Sequence, residues 1–217
     1  MRTIGIDEAG RGPIIGPLTI AGVSIDETVA DMFKKAGVKD SKMLSRRRIF
    51  LLERLVKKES DNLVLVIEPK RIDERFHDGK NLNYLELDHM CEIANSLAGE
   101  RVIVDSPSAN TKKIRDYLIK RIPKKEIIAE NYADRDYIEV SAASILAKAE
   151  RERQVELIKK EIGYDFGSGY SSDPKTKAFL SLIKSNGKLN SDEYSKYLRK
   201  SWFTFKNMNL KTLKDYD

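Results

Sequence analysis

Four acidic residues stand where carboxylates can act together. Asp7 and Glu8 close a short apolar run, Thr3 to Ile6, and Asp105 closes another, Val102 to Val104. Asp134 follows a third run, Glu126 to Ala129, and precedes a long helical pattern. Acids at the carboxyl ends of strands in an open α/β sheet lie where such folds bind ligands. Three or four acids converging with no Lys or Arg between them repel one another, and a divalent cation is the usual compensation. Oxygen ligands without a Cys or His partner favour Mg²⁺ or Mn²⁺ over zinc. A pair of such ions about 4 Å apart can activate a water and stabilise a leaving oxygen in phosphodiester hydrolysis. Each acid also has a plainer reading. Asp105, ahead of Ser106-Pro107, and Asp134 read equally well as helix caps or turn residues. Asp7-Glu8 gives the stronger metal signal, because two adjacent acids sit between an apolar strand and Ala9-Gly10-Arg11-Gly12.

Other residues offer anion contacts. Glycines let a partner approach the main chain, so the N–H groups of Gly10-Arg11-Gly12 could meet a phosphate or a sugar hydroxyl, and Arg11 could add a charge-assisted contact. A plain turn is the competing reading. Asp40-Ser41-Lys42 precedes a basic helix; Ser41 and Lys42 can reach phosphate oxygens, and a helix cap is the alternative. Tyr170, between Gly169 and Ser171, could stack on a sugar or base or could simply pack. His77 and His89 have no partner at metal-ligand spacing and receive no role.

Composition narrows the class. The 217 residues are 41% hydrophobic and 34% charged, with a formal net charge of +6. That apolar content supports a packed core, and the basic excess favours polyanionic partners. Cys91 is the single cysteine, which excludes an intrachain disulfide; its apolar neighbours predict a core position. No run reaches the roughly 18 apolar residues a membrane span requires. Met1-Arg2 leads straight into a strand-like run, so no signal peptide is expected and the protein reads as cytoplasmic.

The elements that must position these residues follow from periodicity. Strands are expected at Thr3–Ile6 and Leu18–Ile25, joined by a Gly/Pro-rich connection, and at Leu63–Ile67, Val102–Val104 and Glu126–Ala129; Leu63–Ile67 reads as a buried strand. Helices are expected from Ser45 through Val56, at Leu82–Leu97 with Gly99 as a stop, at Thr111–Ile122, at Val140–Ile162, at Lys175–Ser185 and at Asp192–Arg199, followed by a lysine-rich tail. Phe166 to Pro174 reads as loop. Strands that first cluster and then alternate with helices predict an α/β domain with a mixed sheet covered on both faces.

Taken together the motifs resemble ribonuclease HII, the prokaryotic type 2 ribonuclease H, and its archaeal branch in particular. The resemblance spans roughly Ile4 to Trp202. It rests on Gly5-Ile6-Asp7-Glu8-Ala9-Gly10-Arg11-Gly12-Pro13 with Gly16-Pro17, on Asp40-Ser41-Lys42 with Leu44-Ser45, and on Val104-Asp105-Ser106. It continues through Ala133-Asp134, Ser141-Ala142-Ala143-Ser144-Ile145-Leu146-Ala147-Lys148, Gly167-Ser168-Gly169-Tyr170 and Arg199-Lys200-Ser201-Trp202. Two positions depart from the family pattern: Arg151-Glu152 where Arg-Asp is frequent, and Ser171 where archaeal relatives often carry Pro.

The resemblance implies a ribonuclease H-like fold, a five-stranded mixed sheet flanked by helices, over residues 1–174, with a helical C-terminal extension over 175–217. It implies that Asp7, Glu8, Asp105 and Asp134 bind two Mg²⁺ or Mn²⁺ ions. Gly10, Arg11 and Gly12 match the loop that contacts the ribose 2′-hydroxyl, which distinguishes RNA from DNA. Tyr170 matches a residue that packs on the deoxyribose past an RNA-to-DNA junction, and Ser41 and Lys42 match positions near substrate phosphates. The implied activity is endonucleolytic cutting of RNA–DNA hybrids and of DNA carrying embedded ribonucleotides, by a monomer; contact with a sliding clamp through the C-terminal segment is left open. Rival readings are a type 3 ribonuclease H, which would carry an N-terminal platform domain before the Asp7 strand, a hybrid-binding protein without catalysis, and a small-molecule phosphatase.

Overall fold

The computed structural model describes residues 1–39, 41–77 and 79–209. Asp40 of the Asp-Ser-Lys motif and the end of the lysine-rich tail lie outside the described residues. Among the described residues, five strands make one mixed sheet: β1 (Thr3–Ala9), β2 (Leu18–Ile25), β3 (Asp61–Ile67), β4 (Arg101–Asp105) and β5 (Glu126–Glu130), in the order β3-β2-β1-β4-β5. β1 pairs antiparallel with β2 and parallel with β4, and β4 pairs parallel with β5.

Alternation along the strands assigns the two faces. Ile4 and Ile6 of β1, Val102 and Val104 of β4, and Ile127 and Ala129 of β5 face one side. There they pack on α4 (Leu82–Ser96) and α5 (Thr111–Arg121). The opposite face, with Ala21, Val23 and Ile25, packs on α1 (Glu27–Ala36), α2 (Arg46–Glu59) and α7 (Ile138–Ile162). The small residues Ala142, Ala143 and Ala147 let α7 lie close to the sheet. At Gly5, an added Cβ would fall 2.1 Å from the Glu139 carbonyl carbon. Between these elements sit the short α3 (Pro69–Glu74) and α6 (Ala133–Asp136). Cys91 is buried as expected.

Beyond α7 the chain forms α8 (Pro174–Ser185), α9 (Asp192–Ser195) and α10 (Phe203–Asn209). Phe179, Leu180, Ile183 and Leu198 share a core cluster with Ile14, Ile15 and Val155, so this part of the chain packs on the Gly/Pro-rich connection and on the end of α7. Among the described residues, no helix is long and apolar enough to cross a membrane.

Two expectations need correction, and one element was not foreseen. Leu63–Ile67 belongs to an edge strand rather than a buried one; among the described residues β3 pairs only with β2, and Leu63 to Leu65 are half-buried with Val66 exposed. Asp192–Arg199 is helical only to Ser195, because Leu198 must bridge to Ile15 and Arg199 must turn into the core. The segment after Asp26, which carried no assignment, is the helix α1; Asp26 caps it by accepting from the Val29 N–H, and Gly37 ends it in a left-handed conformation at φ 82°.

Candidate active site

β1 runs three residues further than the apolar stretch suggested, to Ala9, so Asp7 and Glu8 lie inside its carboxyl end. Asp7 shares the α7 face with Gly5, and Glu8 shares the α4 face with Ile4 and Ile6. On β4, Ile103 packs against Val140 of α7, which puts Asp105 on that same face. The parallel pairing of Ile6 with Val104 therefore sets Asp7 and Asp105 side by side on neighbouring strands. Asp134 arrives on α6, directly after a left-handed turn at Tyr132 (φ 62°), and the Ser141 hydroxyl holds its main-chain carbonyl at 2.6 Å.

Asp7, Glu8 and Asp105 line one open cleft of about 260 Å³ together with Gly10, Arg11, Lys42 and Tyr170. Burial, then the charges of Asp105 and Glu8, push the Asp7 carboxyl well above the usual carboxylate range. Glu8 is raised by burial and by Asp105, against the pull of Arg11. Asp105 is raised by burial and by Asp134, although it accepts the Ala133 N–H at 3.0 Å. The acids are therefore mutually repelling groups held together by the fold.

Asp134 is fully buried, and the Lys42 ammonium sits 3.1 Å from its Oδ2. This corrects the expectation that no cation stands among the acids: Lys42 pairs with Asp134, and Arg11 lies within electrostatic reach of Glu8. Among the described residues, no three acids are close enough as they stand to share one ion. The residues nevertheless fit divalent cations. All donors are oxygens, the charges need compensation, and Glu8 Oε2 and Asp134 Oδ1 are buried without a hydrogen-bond partner.

Gly10, Arg11, Ser41 and Tyr170 also line the cleft, in different roles, and Gly12 lies beside Tyr170. Gly10 takes φ 87°, and a Cβ there would fall 2.8 Å from Arg151 Cδ. A Cβ on Gly12 would lie 3.2 Å from the Tyr170 ring, which is 37% exposed and rests beneath the Arg151 guanidinium, 5.1 Å from its centroid. Arg11 points its guanidinium at Glu86 and Asn83 of α4 rather than outward. The Ser41 hydroxyl is buried against Ser144 Oγ at 2.7 Å, and its carbonyl accepts from Lys148 Nζ at 3.1 Å. Of the two departures from the family pattern, Glu152 pairs with Arg46 at 3.3 Å, and Ser171 lies in the turn closed by the Asp173 N–H on the Tyr170 carbonyl.

Sequence reasoning gave no role to four groups at this site. Ser144 bonds the Asp7 carboxylate, and Lys148 and Arg151 line the cleft; their i, i+4, i+7 spacing on α7 marks one helix face and was a usable signal. Glu86 is fully buried, pairs with Arg11, and is pushed up to about 8 by burial and by Glu8 against the pull of Arg11. An acid inside the apolar pattern of α4 carries no sequence signal of its own.

Known proteins resemble this chain over nearly its whole length. The family model described as ribonuclease HII matches residues 4–205. The chain is 39% identical over 207 residues to the ribonuclease HII of Methanothermobacter thermautotrophicus, covering 94% of this chain and 97% of that one. It superposes with a TM-score of 0.86 and 39% identity on a structure of the PCNA:RNase HII complex from Archaeoglobus fulgidus, covering 98% of this chain and 99% of that one. Bst-RNase HIII in complex with Mn²⁺ gives a TM-score of 0.79 at 19% identity, covering 96% of this chain and 69% of that one, a likeness of fold alone. The chain belongs to the ribonuclease HII family, hydrolytic endonucleases acting on the RNA of RNA–DNA hybrids.

Proposed function

We propose that this member of the ribonuclease HII family cuts both RNA–DNA hybrids and duplex DNA carrying single embedded ribonucleotides. The cut falls 5′ of the ribonucleotide and leaves 3′-hydroxyl and 5′-phosphate ends. Asp7, Glu8, Asp105 and Asp134 hold two Mg²⁺ or Mn²⁺ ions. The observation that carries the reading is the adjacency of Asp7 and Asp105 on neighbouring parallel strands, with Glu8 beside them, in a cleft that raises all three carboxyls. When bound, the ions supply activation of a water for in-line attack and charge compensation at the leaving oxygen.

The chain's own residues supply recognition. The main-chain N–H groups of Arg11 and Gly12 meet the ribose 2′-hydroxyl. Tyr170, half-exposed next to Gly12, packs on the following deoxyribose. Lys42 and Lys148 add positive charge for the phosphates, and the Lys42 ammonium leaves Asp134 when a cation takes its place. Ser144 and Ser41 keep the Asp7 carboxylate oriented through their shared hydroxyl contact. The protein acts as a cytoplasmic monomer in replication and repair. The similarity to the ribonuclease HII of the Archaeoglobus fulgidus PCNA complex supports contact with a sliding clamp, for which the C-terminal segment is the candidate.

The test is incubation of a labelled DNA duplex carrying one ribonucleotide with Mg²⁺, with Mn²⁺, and with chelator. Metal-dependent incision immediately 5′ of the ribonucleotide, with the stated ends, is expected. Incision in chelator, or none at the ribonucleotide while long hybrids are cut, would overturn the reading.

A further inference from the structure

The cleft residues do not explain a charged group behind them. Arg199 is fully buried, and among the described residues it pairs with no carboxylate within salt-bridge distance. Its guanidinium instead spends its donors on main-chain carbonyls: Nη2 on Gly10 at 2.6 Å, Nη1 on Arg11 at 2.8 Å and Nε on Gly16 at 3.0 Å. The Trp202 indole N–H adds a bond to the Gly12 carbonyl at 3.1 Å, and its ring lies 5.0 Å from the Arg199 guanidinium carbon. The Arg199 N–H bonds the Ile14 carbonyl at 2.9 Å, which ties the residue's own backbone to the same connection. Burying a guanidinium without a counter-ion is costly. Here burial and the neighbouring Arg151 lower its pKa to about 9.

These bonds have a geometric consequence. In a trans peptide the carbonyl and the following N–H point in opposite directions, and the chain has no cis bond among its described residues. Fixing the Gly10 and Arg11 carbonyls on Arg199 therefore turns the N–H groups of Arg11 and Gly12 away from it. Neither N–H has an acceptor among the described residues. Gly10 and Arg11 line the cleft beside Asp7 and Glu8, and Gly12 lies against the Tyr170 ring that also lines it, so the Arg11 donor lies at the wall and the Gly12 donor next to it.

We propose that Arg199 is a positioning residue for substrate selection: its buried guanidinium, assisted by Trp202, holds the glycine loop so that two main-chain donors are presented to the 2′-hydroxyl. The inference rests on the reading that this loop meets that hydroxyl. The part of the chain after α8 thereby completes the recognition half of the site. A lysine could supply the charge but not three donors in a planar fork.

The test compares affinities of the full chain, in Ca²⁺ to prevent turnover, for a duplex with one ribonucleotide and for the same duplex in all-DNA form. Wild type, Arg199→Lys and Trp202→Phe are measured below their melting temperatures. The wild type is expected to prefer the ribonucleotide duplex. Arg199→Lys should cut that preference by about tenfold, the worth of one well-placed hydrogen bond, with all-DNA affinity nearly unchanged. Trp202→Phe, which removes one donor and keeps the packing, should lower the preference by a smaller factor and stands in if Arg199→Lys fails to fold. A purely structural role would weaken both duplexes equally; an unchanged preference ratio in the folded variants overturns the proposal. Equal binding of the two duplexes by the wild type is a separate outcome, and it overturns the 2′-hydroxyl reading together with this inference.

Discussion

Substituting Gly5 by alanine should damage the site from two residues away. A Cβ at Gly5 would lie 2.1 Å from the Glu139 carbonyl carbon, 2.3 Å from the Val140 nitrogen and 2.4 Å from the Glu139 oxygen. Carbon atoms rest at about 3.5 Å, so β1 and the start of α7 must separate by roughly 1.4 Å. Both partners are backbone, and no rotamer change relieves the overlap. The cost belongs at the top of the ~1–3 kcal/mol range for overpacking, which lowers Tm by about 6–12 °C in a domain of this size. β1 carries Asp7 and α7 carries Ser144, so the same movement displaces one from the other. A shift near 1 Å costs about a hundredfold in rate. Gly22→Ala is the matched control. Its Cβ would fall 2.2 Å from Ile93 Cγ2, a branch methyl of a buried helical side chain with little rotamer freedom, so a comparable loss of about 1–3 kcal/mol is expected, but the overlap lies on the α4 face, away from α7 and Ser144. Single-turnover cleavage at 25 °C, read beside thermal melts, separates the two variants. A Gly5→Ala protein that melts like wild type, or one that cuts as fast as Gly22→Ala, would refute the close approach of α7 to β1 as the device that aligns the site.

Three further outcomes are expected. Asp7→Asn should abolish cleavage and leave the circular dichroism spectrum unchanged. Because the folded-state pKa of Asp7 is raised, metal-free wild type should lose stability as pH climbs above the ordinary carboxylate range; the variant should lose less, and melting curves from pH 4 to 8 that run parallel would contradict this. The Cys91 thiol is buried and pushed up to about 11, so a thiol reagent at pH 8 should label it only on unfolding, and rapid labelling of native protein would contradict its placement. Asp173 is held at about 2 by the Ser168 hydroxyl and N–H, so its contribution to anchoring the Tyr170 loop is complete above about pH 4 and is lost as pH falls toward 2. Carboxyl titration by NMR reads this directly, and a midpoint near 4 would count against the anchor.

What could be read from the chain depended on how local the signal was. Asp7 and Asp105 were legible because each ends an apolar strand, and a parallel sheet aligns such ends at one edge. The basic groups were not. The places of Lys42 on Asp134 and Arg11 on Glu86 are set by long side chains meeting partners 92 and 75 residues away, and no window of sequence records that. The edge position of β3 was hidden for a related reason: an apolar run reads the same whether one or two neighbours flank it. The helix α1 was visible in principle through Asp26 and Gly37, but its buried residues, Ala30 and Phe33, make a thin stripe. Arg199 lay within a stretch read as helix, and only its burial against three carbonyls reveals why the helix stops short.

The capture of divalent ions by the four acids is tested most directly by anomalous scattering from crystals soaked in Mn²⁺. Manganese peaks beside Asp7, Glu8 and Asp105 are expected, with the Lys42 ammonium withdrawn from Asp134. Manganese bound only elsewhere, or no peak at these carboxylates at concentrations that support cleavage, would contradict the assignment.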